Sequence, residues 1–372
     1  MNDKTITIFQ VFSMMVLFLL GSTLVAGLGT ENEGLAWLII LVTMMIGIAI
    51  YYGYTYLSVN HQSLDMSSLL CQGFGKWLGN TINIVYSLYF VYIASRVVKD
   101  FTYFISQTLF YNIPYWVISF TLVFLVWYAC IKGIETIARS SEVLIFITFG
   151  LMFFVIIFSV SSSQISYMNL RPYFPNEWYT HLLQSIPAKI TFPYGELVVF
   201  LWVFPYLNKP RSLYSKGVLA VLLAGGTIII LSEIIIAMLG QKMAAVYTYP
   251  LVKAIEMINF FNIIQHVEFL SVIAFLCVGF IKIAIFTFAA AKSTSMMFKK
   301  PMLKQSIHLY SLVIFFLTFM IARNLPEHNF IGLSIVPIYI HIPLQFGIPA
   351  ILAMTLWVKK KRNGKKALNE TF

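Results

Sequence analysis

The sequence predicts an all-α membrane protein with about ten transmembrane helices, arranged as two inverted repeats of five. Hydrophobic residues make up 59% of the 372 residues and charged residues only 10%, whereas about a quarter of a soluble domain is charged. The apolar residues form runs of roughly 20, the helix length that crosses a hydrocarbon core of about 30 Å. The stretches between these runs are short, so residues 1–372 are predicted to form a single polytopic membrane domain.

Hydropathy separates ten candidate spans. They cover residues 8–28, 34–57, 81–106, 115–131, 143–160, 186–206, 216–239, 265–290, 306–323 and 335–358. An even number of spans puts both termini on one side, and most of the 25 Lys and Arg residues fall on that side, including those of the basic tail 359–372. Because cytoplasmic loops carry the excess of basic residues, both termini are predicted to be cytoplasmic, with the tail against the lipids of the inner leaflet.

Other classes of protein fit the sequence poorly. The net charge of +11 does not indicate a nucleic-acid partner, because the basic residues lie in short loops between spans rather than on one polar face. The three cysteines, Cys71, Cys130 and Cys277, lack CxxC spacing and predict neither a disulfide framework nor a metal site. P-loop, HExxH and GxSxG motifs do not occur in the sequence, so we expect no enzyme and no cofactor.

Each half of the chain, residues 8–160 and 186–358, opens with an interrupted span. The interrupting residues are Gly21, Ser22 and Thr23 in span 1, and Phe192, Pro193, Tyr194, Gly195 and Glu196 in span 6. Pro lacks an N–H and Gly permits non-helical dihedrals, so backbone groups are left unpaired at membrane depth. Such backbone is tolerated where it lines a wet cavity. The paired breaks therefore predict a ligand site, with an ordinary kink or packing notch as the alternative.

Two amphipathic segments occupy corresponding places in the halves. After span 2, helical spacing joins Leu70, Phe74, Trp77 and Leu78, which predicts a helix lying in the cytoplasmic interface. After span 7, a similar apolar stripe is predicted on the outer side, made of Pro250, Leu251, Ala254, Ile255, Ile258 and Phe261.

Residues 191–198 (TFPYGELV) and 204–210 (FPYLNKP) carry a family resemblance. They are similar to the signature of the B subunits of bacterial spore nutrient-germinant receptors, a branch of the amino acid/polyamine/organocation transporter superfamily. Similarity at residues 75–79, 132–135 and 278–282 extends it over nearly the whole chain. The resemblance implies a LeuT-like five-plus-five fold with helices 1 and 6 broken. It also implies recognition of a small nutrient, typically an amino acid, together with an A subunit and a lipoprotein C subunit in the spore inner membrane.

Glu196 and Lys282 carry charge within apolar runs, where a charged side chain costs about 2.5–3.5 kcal/mol on insertion scales. Spans 1, 6 and 8 are neighbours in the LeuT-like arrangement, so we expect these two side chains to form a polar pair or relay beside the ligand. The alternative is a purely structural ion pair that holds span 8 against the broken helix.

The resemblance also implies how an amino acid would be held. Free N–H groups near Gly21, Ser22 and Thr23 would bind its carboxylate, and carbonyl groups near Phe192 would bind its ammonium. The ligand side chain would then be covered by Phe192, Tyr194 and Tyr92. At position 194 the family often has Phe, which leaves the ligand preference open.

The remaining charged residues of the spans support weaker expectations. Arg96 and Asp100, one helical turn apart, are predicted to form a local ion pair. Glu233 is either protonated or turned to a neighbouring subunit.

Two functions remain for the whole chain: a nutrient sensor inside a receptor complex, and a proton-coupled amino acid permease. A sodium-driven permease is a third reading.

Overall fold

The computed structural model describes residues 6–26, 35–61, 64–171, 178–258, 268–295, 297 and 302–369. Nearly all of them are helical. The α-helices in chain order are α1 Ile8–Ala26, α2 Ala36–Asn60, α3 Met66–Phe74, α4 Lys76–Thr108, α5 Tyr115–Lys132, α6 Ile134–Ser161, α7 Trp178–Lys189, α8 Leu213–Leu239, α9 Gln241–Val246, α10 Pro250–Glu256, α11 Glu268–Ser295, α12 Leu303–Met320, α13 Leu325–Phe330 and α14 Ile348–Asn369.

Wider and tighter helical turns connect some of these helices. The π-helical segments are Ile190–Tyr194, Ile331–Ile335 and Pro337–Gly347. The 3-10 segments are Tyr167–Leu170, Gly195–Trp202, Phe204–Tyr206 and Pro210–Ser212.

Eight helices of the described chain are long and apolar enough to cross a membrane. They match eight of the ten predicted spans, and the remaining two predicted spans are the interrupted ones. In the first, the apolar helix Ile8–Gly21 is shorter than a full crossing. In the second, α7 gives way to the π-helical segment Ile190–Tyr194 and then to a 3-10 segment. The two spans predicted to be broken are thus the two that form no continuous long helix.

The centre of the bundle is built from α1, α4 and α11. Helix α11 packs against α1, α4 and α6, and α1 also packs against α8. Of the eight long apolar helices, α11 is the most deeply buried. The end of α11 that precedes Ser295 is rich in Ala, which allows the neighbouring helices to approach closely.

The first amphipathic segment, which follows the second span, differs from the prediction of one continuous helix. Helix α3 ends at Phe74 because Gly75 adopts φ +87°, and α4 begins at Lys76. Leu70 is buried in the protein, while Trp77 on α4 is 81% exposed. The predicted stripe therefore belongs to two helices, since a glycine in a left-handed conformation ends the first of them.

The corresponding segment on the other side forms α10. Its apolar residues Leu251, Ala254 and Ile255 are buried against the bundle, and Lys253 and Glu256 form an exposed ion pair of 3.0 Å. Phe261, the last residue of the predicted stripe, lies outside the described residues.

Candidate functional site

The first break lies in α1 at Gly21, whose dihedrals leave the helical region (φ −5°, ψ −122°). The hydroxyl of Thr23 donates a hydrogen bond of 2.9 Å to the carbonyl of Leu19, so it bridges the break from one side to the other. The side chain of Ser22 is outside the described part of the chain. Gly21 is buried in the interior of the bundle.

The second break lies between α7 and the segment Gly195–Trp202. Phe192 has an extended backbone conformation (φ −128°, ψ 116°) inside the π-helical segment, and the Phe192–Pro193 peptide bond is cis. Pro193 has no N–H to continue a helix. Glu196 follows at the start of the 3-10 segment, with its side chain buried.

Glu196 and Lys282 form a direct ion pair, with 2.6 Å between Oε2 of Glu196 and Nζ of Lys282. The Lys282 side chain is fully buried and that of Glu196 is 3% exposed. The ammonium also lies over the rings of Phe192, at 4.5 Å, and Phe18, at 5.2 Å. Apart from this ion pair, neither Nζ nor Oε2 has a hydrogen-bond partner among the described residues. The ammonium therefore has N–H donors for which the described residues supply no acceptor.

The Lys282 side chain connects both breaks. A Cβ on Gly21 would overlap Cδ of Lys282 and lie 3.4 Å from its Cβ. The lysine stem therefore passes through the space that this glycine leaves, and its charged end reaches Glu196 at the second break. A buried ion pair of this kind needs both partners, because either one alone would be an uncompensated charge inside the membrane.

A pocket of about 140 Å³ reaches this ion pair through the side chain of Glu196. Phe192 contributes an aromatic wall, and Arg96, Asp100 and His341 contribute polar groups. The pocket has room for a small solute, since a single water needs only about 10–15 Å³ of such space. Its mixture of apolar wall and few polar groups is typical of small-molecule sites.

Two of the predicted ligand-binding residues, Phe192 and Glu196, line this pocket, and Lys282 adjoins it through the ion pair. Gly21 and Thr23 are absent from the lining. Tyr92 is absent too, and its hydroxyl accepts a hydrogen bond of 3.3 Å from Arg96, which does line the pocket.

Tyr194 and Gly195 pack in other directions, and Pro193 is buried between them and Phe192. The Tyr194 ring fills a notch on α2, where a Cβ on Gly47 would lie 2.8 Å from its Cβ. Its hydroxyl has no hydrogen-bond partner among the described residues. A Cβ on Gly195 would overlap the amide of Gln345 in the last span. Tyr194 therefore packs within the bundle and does not line the pocket.

The charged residues of α4 use partners that the sequence pattern does not reveal. Asp100 pairs with His328 on α13, with 2.6 Å between Oδ1 and Nε2. Arg96 donates from Nη2 to the carbonyl of His328 at 2.7 Å, and Lys99 donates to the carbonyl of Ala322 at 2.5 Å. The predicted local Arg96–Asp100 ion pair is thus replaced by two contacts to His328, which lies 228 positions after Asp100.

The last span contributes a second polar cluster. His341 accepts or donates a 2.6 Å hydrogen bond with the Tyr89 hydroxyl, and Gln345 donates to the same hydroxyl at 2.9 Å. Tyr54 and Tyr86 donate to carbonyls of the π-helical segment Pro337–Gly347, at 2.8 and 2.6 Å. Proline has no N–H to bond a carbonyl of the preceding turn, and these hydroxyls bind the carbonyls of Gln345 and Leu344, one turn before Pro349. Three prolines within this span, Pro337, Pro343 and Pro349, are the sequence signal for it.

Glu233 on α8 is half-buried. Its Oε1 has no hydrogen-bond partner among the described residues, so both alternatives for this residue, a protonated carboxyl and a contact with a neighbouring subunit, stay predictions.

The bundle with two broken helices has the fold of LeuT-like transporters. It superposes on a Na⁺-coupled sialic acid symporter with a TM-score of 0.69 and 10% identity, covering 92% of this chain and 78% of that one. It also superposes on MhsT in complex with L-phenylalanine, with a TM-score of 0.64 and 13% identity over 94% and 97% of the two chains. The predicted LeuT-like membrane fold is confirmed.

The chain belongs to the spore germination protein family, whose model matches residues 5–328. It is 29% identical to spore germination protein KB of Bacillus subtilis (strain 168) over 98% of both chains. It is 24% identical to spore germination protein YndE of the same organism over 78% of each chain. The family resemblance read from residues 191–210 is therefore confirmed, and the family and the fold are those of membrane receptor and transporter proteins.

Proposed function

We propose that this chain is the B subunit of a spore nutrient-germinant receptor. It binds a small nutrient, an amino acid, at mid-membrane between broken helices 1 and 6. With an A subunit and a lipoprotein C subunit it then triggers germination from the spore inner membrane, its termini in the cytoplasm. The observation that supports this proposal is the pocket that reaches the buried Glu196–Lys282 ion pair at the second break.

The chemistry of the pocket suits a ligand with an ammonium group. Glu196 supplies a carboxylate, and Phe192 supplies an aromatic face of the kind that attracts cations. Because both lie at membrane depth, their interactions with a charged group are stronger than in water. Among the structural neighbours, MhsT is in complex with L-phenylalanine, so this fold is compatible with an amino acid as ligand.

Signalling would follow from a shift between conformations. If the nutrient binds an occluded state more tightly than an open one, binding changes the population of the two states, and the partner subunits respond to the difference. The Glu196–Lys282 ion pair is the natural point of change, because an ammonium at Glu196 would compete with Lys282 for the same carboxylate.

The Lys282→Met variant tests this function. Spores that carry it should germinate poorly with the nutrient that triggers the wild type, when the response is compared at equal amounts of the protein in the spore membrane. Lys253→Met is the matched control, because Lys253 forms an exposed ion pair away from the pocket. An unchanged nutrient response in the Lys282→Met spores would contradict the proposal.

A proton-coupled amino acid permease is the second candidate, favoured by the presence of a buried pair of titratable groups beside the pocket. Uptake of labelled amino acids into proteoliposomes that contain this chain alone separates the two. Saturable, gradient-driven uptake supports the permease, and binding without uptake supports the receptor subunit.

A further inference from the structure

We infer that Arg96 binds the carboxylate of the ligand and that Gly332 makes the space in which its guanidinium lies. This inference rests on the proposed function, since it concerns the same pocket. It names the ligand class as a carboxylate that also carries an amine, and it moves the carboxylate from the first break, where the family resemblance put it, to α4.

Arg96 is a buried cation on the pocket wall, with 9% of its surface exposed. Within the described residues its guanidinium donates to the carbonyl of His328 at 2.7 Å and, at longer distances, contacts the hydroxyl of Tyr92 and the ring of His328. No carboxylate of the described residues lies within 4.0 Å of its guanidinium. A guanidinium has five N–H donors, so donors remain for another acceptor.

The two carboxylates of the pocket lining each have a side-chain partner other than Arg96. Glu196 pairs with Lys282 at 2.6 Å, and Asp100 pairs with His328 at 2.6 Å. Arg96 therefore carries the positive charge without a carboxylate partner among the described lining residues. A charge at membrane depth is costly unless it is paired, and a ligand carboxylate would pair it. The planar guanidinium matches a carboxylate with two parallel hydrogen bonds.

Gly332, in the π-helical segment Ile331–Ile335, packs directly against this guanidinium. A Cβ on Gly332 would overlap Nη2 of Arg96 and lie 2.7 Å from its Cζ. Any larger residue would push the guanidinium out of its place. The pocket thus offers an ammonium site at Glu196 and a carboxylate site at Arg96, which together fit the two charged groups of an amino acid.

The test compares each of the twenty standard L-amino acids with its carboxamide, which keeps the ammonium and loses the carboxylate charge. D-glucose and acetate are added as probes. Binding is measured by calorimetry with the full chain in lipid nanodiscs. The wild type should bind at least one amino acid roughly 10- to 100-fold more tightly than its carboxamide, the usual value of a hydrogen-bonded charge.

Arg96→Met should reduce this acid-to-amide ratio to about one, and Gly332→Ala should reduce it in the same direction. Arg96→Lys, which keeps the charge, should retain part of the preference. Gly226→Ala on α8 is the matched control, because a Cβ there meets nothing within 4 Å. The ratio does not depend on how much of a variant is folded, so a merely structural role for Arg96 would leave it unchanged.

Each other outcome has a distinct meaning. If Arg96→Met weakens the acid and the amide equally, the assignment of Arg96 is overturned and nutrient binding stands. If the wild type binds glucose but no carboxylate, the assignment is again overturned, with the receptor function intact. If none of the probes binds, both the assignment and the amino acid proposal fail.

Discussion

The side chain of Lys282 passes through the gap that Gly21 leaves in α1 and ends on the carboxylate of Glu196. One residue of α11 therefore contacts both broken helices. Because the lysine is held at its far end by an ion pair of 2.6 Å, its stem has little freedom to move away from Gly21.

Gly21→Ala should destabilise the protein. The added methyl group would overlap the lysine stem, and overpacking of a buried site costs typically about 1–3 kcal/mol. We expect a lower apparent melting temperature in detergent and weaker nutrient binding. Gly53→Ala on α2 is the control, since a Cβ there meets nothing within 4 Å and Ala is favoured in a helix by roughly 0.5–1 kcal/mol. Equal melting temperatures for the two variants would show that the Lys282 side chain moves aside for the added methyl group at little cost in stability.

Glu196→Gln and Lys282→Met should each destabilise the protein more than the double variant does. Removal of one partner of a buried ion pair leaves an uncompensated charge, at a cost of about 3–5 kcal/mol, whereas replacement of both is often nearly neutral. A double-mutant cycle on the apparent melting temperature measures this coupling.

Nutrient binding should behave differently in the same set. All three variants should lose it, because the pocket loses its carboxylate or the charge that orients it. A double variant that is stable and still binds nutrient would show that the Glu196–Lys282 ion pair has only a structural role.

Tyr194→Phe should leave stability and nutrient response nearly unchanged. The Tyr194 hydroxyl is buried without a hydrogen-bond partner among the described residues, and removal of an unsatisfied polar group is neutral or stabilising. Gly47→Ala should be destabilising by about 1–3 kcal/mol, because its methyl group would overlap the same ring. A Tyr194→Phe variant with altered ligand preference would place this side chain at the ligand after all.

Lys359→Met should destabilise the C-terminal end of α3. Nζ of Lys359 donates to the carbonyls of Gln72 and Gly73 at 2.8 Å each, at the end of that helix. A cation at a helix C-terminus contributes about 0.3–1 kcal/mol, so hydrogen exchange in residues 66–74 should become several-fold faster. Lys360→Met is the control, because the side chain of the neighbouring Lys360 is exposed and forms no hydrogen bond with the described residues. Identical rates of hydrogen exchange in both variants would contradict a capping role for Lys359.

The broken spans could be predicted because their signals are local. Gly21 and Pro193 disrupt a helix through their own backbone chemistry, whatever surrounds them. Two signals were needed to predict the proximity of Glu196 and Lys282. Both residues are charged within apolar runs, and the family resemblance indicated that their spans are neighbours. Hydropathy alone does not indicate which way a side chain faces within a buried helix.

The polar wall of the pocket was not predictable for a related reason. The partner of Arg96 and Asp100, His328, lies in the short helix α13 between two spans, outside any hydropathy run. In the last span, a π-helical segment widens the turn and so changes which residues share a face. A periodicity of 3.6 residues therefore misplaces His341, although the residue itself is plain in the sequence.

The tyrosine hydroxyls that form hydrogen bonds with the last span have a mechanical consequence. Tyr86 and Tyr89 belong to α4, and they hold the segment Pro337–Gly347 by hydrogen bonds that lipid cannot replace. If the last span is to slide relative to α4, these bonds must break without water to compensate them. The two elements are therefore expected to travel as one rigid body, and any opening of the pocket has to occur along its other walls.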